Sequence, residues 1–156
     1  MNIEAIVSRL QEVTMLKTKQ DVSNFLKEKN ISPTAQRVEM LYKLIQKDQH
    51  LSPEVVFKMV NDDFPKVSRA TVYNNLNLFI ENGIVRKLSL GSISTVFDTN
   101  NEQHFHLHEE NSEELIDVKA SEETTGKLAD AAAQILKKQI GSGYKVKDVI
   151  INYEKS

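Results

Sequence analysis

The residue pattern changes at Gly83, and the order of the segments on either side of this glycine limits the folds open to the chain. Before it, apolar residues recur at helical spacing in five stretches. After it, IVRKLSL and ISTVFD are short and rich in β-branched residues, and Gly91 and Ser92 separate them, which predicts a β-hairpin. Helices followed by a hairpin are the order of a winged helix-turn-helix domain.

Capping residues mark the starts of the predicted helices. Serine followed by proline occurs twice, and the pair combines an N-cap with a residue that suits the first helical position. The last of these helices ends at Gly83, because glycine commonly terminates helices. An additional amphipathic helix is predicted over residues 1–16. The predicted N-caps are Asp21, Ser32, Ser52 and Ser68, with Pro33 and Pro53 after two of them.

The residues after the hairpin predict a second, smaller unit of mixed structure. Its elements are strands at about 104–109 and 114–119, a helix at about 122–139 and a strand in YKVKDVIINYE. The polar, turn-rich stretch DTNNEQ separates the two parts. The predicted fold class is α+β, with an N-terminal winged helix-turn-helix domain over 1–96, a hinge over 97–103 and a small α/β domain over 104–156.

The composition excludes several classes of protein. Because the chain has no cysteine, it has no disulfide framework, no thiolate zinc site and no sulfur-based redox sensor. It has no run of about 18 apolar residues that could span a membrane, and its start lacks the features of an export signal, so we expect a cytoplasmic protein. Residues 1–90 carry 13 Lys and Arg against 10 Asp and Glu, which makes this part the better candidate for a polyanion partner.

The helix predicted from Ser68 places small and amide side chains opposite its apolar face. At about 100° per residue, Ala70, Asn74 and Asn77 lie away from the core. Such residues suit a recognition helix, since asparagine can pair with adenine while nearby cations bind phosphates. The alternative is that the asparagines at 74, 75 and 77 are ordinary exposed polar residues. The predicted DNA-binding residues are Arg37, Ser68, Arg69, Ala70, Thr71, Tyr73 and Asn74, with Lys66 as a further phosphate contact.

Three of the four histidines alternate in HFHLHEENSEELID. Residues two apart on a strand share a face, so His104, His106 and His108 point the same way. Two imidazoles at this spacing can chelate one metal ion, although His-x-His also occurs by chance on exposed strands. For His108 we expect a solvated side chain on an acidic edge, with a second, weak metal site as the alternative.

Carboxylates near these histidines strengthen the case for a metal. Asp98 ends the hairpin, and Asp117 lies on the next strand, where a turn would return it beside His104 and His106. His50 precedes the third of the predicted core helices. Nitrogen and oxygen ligands without sulfur suit Fe(II), Mn(II) or Zn(II) and discriminate against Cu(I). A catalytic non-haem iron centre would use the same kinds of ligand.

Together these motifs resemble the ferric uptake regulator superfamily, most closely its peroxide-responsive, PerR-type branch. The segments that carry the likeness are ISPTAQR, FPKVSRATVYNNLNLFIENGIVRKLSL, FDTNNEQHFH and LID, within a similarity over roughly residues 20–153. The resemblance implies a homodimeric, metal-dependent transcriptional repressor, not an enzyme, that binds an AT-rich palindromic operator. It also implies that residues 104–156 form a dimerisation domain. The residues that match the family's five regulatory metal ligands are His50, Asp98, His104, His106 and Asp117.

The type of ligand suggests which signal the metal reports. Aspartate at the positions of Asp98 and Asp117 resembles the peroxide-sensing branch, whereas iron-uptake regulators tend to have glutamate there. By this resemblance, Fe(II) or Mn(II) occupies the site, with Zn(II) as a possible substitute. Peroxide then reacts with Fe(II), and a ligand histidine, His50 or His104, is oxidised. Metal would hold the two winged helices of the dimer in the arrangement that fits the operator.

The sequence departs from the family at the structural zinc site. Members commonly hold this zinc with two CxxC pairs, but here Glu109 and Ser112 stand at the first pair, so no structural zinc is expected. The second domain must therefore be stabilised in another way. Candidates for its core and for an intersubunit sheet are Ile116, Val118, Leu128, Ile135, Leu136, Ile140, Val146, Val149 and Ile151.

Three other functions compete with a peroxide-responsive repressor. A regulator of iron, manganese or zinc uptake would keep the fold but respond only to metal level. A non-haem iron enzyme would use the same histidines and carboxylates for turnover. A winged-helix protein that binds another protein would associate without metal.

Overall fold

A computed structural model describes residues 13, 16–46, 50–90, 94–100, 104–110, 112, 115–118, 122–144, 146 and 148–154. The chain divides into two compact units, Met1–Glu102 and Gln103–Ser156. Within these described ranges, no helix is long and apolar enough to cross a membrane. The helix predicted over 1–16 lies outside the described residues, apart from Val13 and Leu16.

The first unit contains four described helices followed by a two-stranded hairpin. Its core is formed by fully buried side chains such as Leu26, Leu76 and Phe79, and burying one such side chain contributes roughly 1.5–3 kcal/mol. The strands pair antiparallel with Arg86 opposite Asp98. The elements are α1 Lys19–Glu28, α2 Ala35–Ile45, α3 Pro53–Asp63, α4 Arg69–Glu81, β1 Arg86–Leu90 and β2 Ser94–Asp98.

Two helices begin at other residues than the sequence predicted. Thr18 caps α1 and accepts a hydrogen bond from the Asp21 N–H, while the Asp21 carboxylate accepts one from the Thr18 N–H. This capping box satisfies two helix-end donors, lowers the pKa of Asp21 and places that residue in the first turn. Thr34, not Ser32, caps α2. The predicted N-caps Ser52 and Ser68 are confirmed.

The second unit is a three-stranded sheet with one long helix. Its described elements are β3 Phe105–Glu109, β4 Leu115–Val118, α5 Glu122–Gln139 and β5 Ile150–Tyr153. The central strand β3 pairs antiparallel with β4 and parallel with β5, and α5 lies between β4 and β5 in the sequence. The predicted α+β class is confirmed by this arrangement, whereas the predicted last strand is shorter than expected.

Several apolar residues predicted for the core of the second unit are exposed within the single chain. Leu107 pairs with Ile116 on one side and Ile151 on the other, so the three form a row across the sheet face that points away from His106. The core prediction is therefore wrong for Ile116 and Ile151, and also for Ile135 and Ile140, which are exposed as well; the intersubunit prediction stays open. The exposed members are Ile116, Ile135, Ile140 and Ile151, at 42% to 64% of their maximum.

Candidate metal centre

Three side chains converge on one face of the second unit's sheet. His104 Nε2 lies 2.9 Å from His106 Nε2, and Asp117 Oδ1 lies 3.3 Å and 3.4 Å from these two nitrogens. The strand register causes this convergence because His106 pairs directly with Asp117. Ligands bound to one ion at about 2.0–2.2 Å are about 3 Å from one another. The two nitrogens and the carboxylate oxygen therefore fit the coordination sphere of a single ion.

These three side chains, here called the histidine cluster, are largely shielded from water. His106 is fully buried and His104 nearly so, and buried polar groups need hydrogen-bond partners. His106 Nδ1 lies 3.1 Å from Asp148 Oδ1, which also accepts a hydrogen bond from the Val149 N–H. Without an ion, a proton on His104 Nε2 can bridge to His106 Nε2. The donor set therefore suits either a hydrogen-bonded cluster or a divalent metal.

Two further predicted ligands lie beside each other in the first unit. Leu51 and Phe97 form an antiparallel bridge and exchange both backbone hydrogen bonds, at 3.2 Å and 2.9 Å. His50 precedes Leu51 and Asp98 follows Phe97, so the two predicted ligands flank this bridge on the same side. In an antiparallel ladder, residues flanking a hydrogen-bonded pair bring their side chains close together on one face. The local backbone thus makes His50 and Asp98 neighbours.

Asp98 has a cationic partner that the sequence analysis did not identify. Its nearly fully buried carboxylate forms an ion pair with Arg86, which lies opposite it across the hairpin. Asp98 Oδ1 also accepts a hydrogen bond from the Asn100 N–H at 2.6 Å, and the carbonyl of Asn100 accepts one from Arg86 at 2.8 Å. A metal ion that used Asp98 would share this carboxylate with Arg86.

The expectation of a solvated His108 is wrong. This residue is buried, with Nδ1 2.9 Å from the side-chain oxygen of Asn152 and Nε2 3.0 Å from the carbonyl of Ser112. Both ring nitrogens are therefore engaged, so His108 is a poor candidate for a second metal site. The Ser112 N–H donates to the Glu109 carbonyl at 3.1 Å, which closes the turn where the family resemblance places a CxxC pair. His108 thus joins this turn to β5.

Helix α4 presents most of the predicted DNA-binding residues at its N-terminal end. The Ser68 hydroxyl caps the helix by accepting the Thr71 N–H at 3.0 Å. Ala70, Tyr73 and Asn74 are exposed on the following turns. Arg69 is largely exposed, and its guanidinium lies 4.6 Å from the centre of the Phe57 ring and 3.6 Å from Glu54. These side chains form an accessible surface at a helix N-terminus.

Asn75 and Arg37 have internal roles that helical periodicity did not reveal. Asn75 is buried, contrary to the alternative that treated it as an exposed polar residue. Its side-chain oxygen accepts a hydrogen bond from Arg37 Nε at 3.0 Å, while Arg37 Nη1 donates to the Ser32 carbonyl at 3.0 Å. Arg37 therefore connects α4 to the segment before α2, and two of its guanidinium nitrogens donate hydrogen bonds within the first unit.

Comparisons with known proteins agree with this fold. The pattern of the ferric uptake regulator family matches residues 28–148. The peroxide-responsive repressor PerR of Staphylococcus aureus (strain Mu50) is 36% identical over 92 residues, which cover 59% of this chain and 62% of that protein. The chain thus spans less than two thirds of the length of the curated relatives it matches.

Solved structures give the same result. The ferric uptake regulator from Francisella tularensis with iron has a TM-score of 0.63 and 26% identity, over 79% of this chain and 90% of that one. The Campylobacter jejuni peroxide stress regulator, with a TM-score of 0.62 and 23% identity over 90% and 98% of the chains, has the same fold. The match over residues 28–148 places this chain in the ferric uptake regulator family.

Proposed function

We propose that the chain is a metal-dependent, peroxide-responsive transcriptional repressor rather than an enzyme. It binds operator DNA as a homodimer while metal is bound and releases the DNA when a ligand histidine is oxidised. The observation that carries this proposal is the convergence of His104 Nε2, His106 Nε2 and Asp117 Oδ1 at separations that suit one metal ion. The 36% identity with a peroxide-responsive repressor supports the choice of signal.

The proposed regulatory ligands are the five residues that match the family's ligand positions in the sequence. His104, His106 and Asp117 are one half, and the adjacent His50 and Asp98 are the other, matched to the family pattern by sequence position. Nitrogen and oxygen donors suit Fe(II) and Mn(II) and also accept Zn(II). Metal binding would then shift the population of the dimer towards the state that fits the operator.

The second unit is the proposed dimerisation domain. Its apolar row consists of the exposed Ile116 and Ile151 and the half-buried Leu107, and Ile135 and Ile140 are also exposed, which is unusual for a monomer. A second copy of the chain would cover this surface. Two winged helices related by a two-fold axis then match the two halves of a palindromic operator.

The proposed signal is a chemical change in His50 or His104. One oxygen atom of hydrogen peroxide is inserted into a ring C–H bond of the histidine, which loses two electrons. The other oxygen leaves as water, so atoms and electrons balance. Bound Fe(II) would supply the redox activation of peroxide that Mn(II) and Zn(II) lack. The chain has no cysteine that could compete with these histidines for the oxidant.

A DNA-binding assay on an AT-rich palindrome tests the function directly. We expect binding with Mn(II) or Fe(II), loss of binding with a chelator, and loss after peroxide only for the Fe(II)-loaded protein. Mass spectrometry should find one added oxygen on the peptide that holds His50 or His104. Asp117→Glu should retain metal-dependent binding but lose most of the peroxide response, because the iron-uptake branch of the family tends to use glutamate at this position.

The outcomes of this DNA-binding assay, together with a test for substrate turnover, separate the competing functions. Release on chelation without any oxygen gain would identify a metal-uptake regulator. DNA binding that ignores metal would exclude both kinds of repressor. Steady turnover of a small substrate without oxidation of the chain would favour a non-haem iron enzyme.

Arg69→Ala tests the DNA-binding surface of α4. Loss of one phosphate contact should weaken binding to all sequences and reduce the slope of log affinity against log salt by about 0.9. Lys127→Ala is the matched control, because this lysine is a similarly exposed cation of the second unit. An unchanged slope for Arg69→Ala, or equal changes for both variants, would contradict the proposed surface. We expect Arg37 to act mainly by positioning α4 through Asn75.

A further inference from the structure

Asp148 contacts the most buried residue of the histidine cluster, and neither the sequence motif nor the proposed ligand set includes it. The parallel pairing of β3 with β5 sets His106 opposite Ile150, which brings Asp148 beside the His106 ring. Asp148 Oδ1 lies 3.1 Å from His106 Nδ1, and the carboxylate itself is mostly buried. The contact therefore joins two residues that are 42 positions apart in the chain.

The chemistry of this contact determines which nitrogen of His106 carries the proton. An ionised carboxylate can only accept hydrogen bonds, so His106 Nδ1 must donate. A neutral imidazole has one N–H, and Nδ1 then holds it. Nε2 is left with its lone pair, and this is the atom that lies near His104 Nε2 and Asp117 Oδ1. The hydrogen bond therefore leaves the lone pair of His106 Nε2 available to bind a metal ion.

We infer that Asp148 is a positioning residue for the regulatory metal site. It selects the Nδ1–H tautomer of His106, fixes the orientation of the ring and increases the electron density on Nε2. Carboxylates that bind the second nitrogen of a metal-ligating histidine act in this way, and their loss typically lowers metal affinity about 10- to 100-fold. This inference rests on the proposed function, because it assumes that the histidine cluster binds metal.

The chain contains a matched control in a second histidine of β3, His108, and its contact with Asn152 of β5. Asn152 lies opposite His108 and contacts its Nδ1, as Asp148 contacts that of His106. The Nε2 of His108, however, is held by the Ser112 carbonyl and does not face the cluster. Loss of the Asn152 contact should therefore affect the packing of the unit but not the metal ligands.

The test measures the His106 tautomer in the metal-free chain and Mn(II) affinity in parallel. Long-range ¹⁵N–¹H NMR of the wild type should show the Nδ1–H tautomer at His106. Asp148→Leu should abolish this preference and lower Mn(II) affinity about 10- to 100-fold. Asp148→Asn, which retains an oxygen acceptor, should preserve the tautomer and restore much of the affinity. Asn152→Leu should leave both quantities unchanged.

Each half of the experiment has its own contradicting result. An Nε2–H tautomer or an imidazolium at His106 in the wild type would overturn the inference, whatever the metal affinity. Equal affinity losses in Asp148→Leu and Asn152→Leu would also overturn it, because both would then act through stability alone. A wild-type chain that binds no Mn(II) would overturn the proposed function and the effect on affinity, whereas the tautomer measurement remains valid without metal.

Discussion

Replacing His106 with alanine should lower Mn(II) affinity by more than about 100-fold, because loss of a mere supporting partner of a metal ligand already costs about 10- to 100-fold. His106 Nε2 lies within 3.4 Å of both other donor atoms of the histidine cluster. The His106 ring is fully buried, so a water molecule could replace it as a ligand only by entering the buried space that the ring leaves. Titration with Mn(II), followed by the electron paramagnetic resonance of the free ion, measures the affinity.

His108→Ala separates the loss of a ligand from the loss of packing. His108 lies on the same strand, is also buried, and forms hydrogen bonds through both ring nitrogens. Both substitutions remove one buried imidazole, so we expect similar decreases in melting temperature. Only His106→Ala should lose the metal. Equal losses of Mn(II) binding in the two variants would show that the metal senses the integrity of the sheet rather than these ligands.

Local patterns were sufficient to predict most of the secondary structure. The helix expected at about 122–139 is observed as Glu122–Gln139, and the hairpin after Gly83 is present. These features depend on residues near one another in sequence, such as caps and β-branched runs. The sequence predicted Ser32 as the N-cap of α2, but Thr34 is the N-cap in the structure. Both residue types can cap a helix, and only the folded backbone shows which side chain accepts the N–H of the third helical residue.

The candidate site was predictable only in part. His104, His106 and Asp117 meet because a hairpin returns the chain beside itself, and the sequence indicates that turn. Counting outward from the predicted two-residue turn, Gly91 and Ser92, would have placed Arg86 opposite Phe97, one residue short of its observed partner Asp98. Asp148 could not have been found in this way. Its contact depends on the register of a parallel strand pair, which α5 separates in sequence and no local residue specifies.

Burial was the least predictable property. Asn75 lies among apolar residues of α4, and it is buried because Arg37, from another helix, supplies its hydrogen bond. Ile116 and Ile151 are apolar but exposed, because the described part of the chain leaves the face that they share with Leu107 open to solvent. For Asn75, a residue from a distant segment determines the environment. Composition and periodicity do not contain that information.

Arg86→Met should destabilise the metal-free first unit by roughly 3 kcal/mol, because removing one partner of a buried ion pair leaves a buried charge without its cationic partner. The Asp98 side chain is only 4% exposed, whereas that of Arg86 is 29% exposed. The carboxylate therefore bears most of the desolvation, and Arg86 can reach water. Urea unfolding in the presence of a chelator, followed by circular dichroism, measures the loss. Asp98→Asn alone should cost less, and the double variant should recover most of the loss because no charge is left buried.

Mn(II) adds a second comparison that tests Asp98 as a ligand. A divalent cation beside Asp98 would supply the positive charge that Arg86→Met removes, so Mn(II) should raise the unfolding free energy of this variant by more than it raises that of the wild type. In the wild type the cation and Arg86 share the same carboxylate, and part of the benefit of binding is offset by a weaker ion pair. The double variant lacks the carboxylate and should show the smallest response of the three. If Mn(II) stabilises Arg86→Met and the wild type equally, Asp98 belongs to the hairpin's ion pair and not to the metal site.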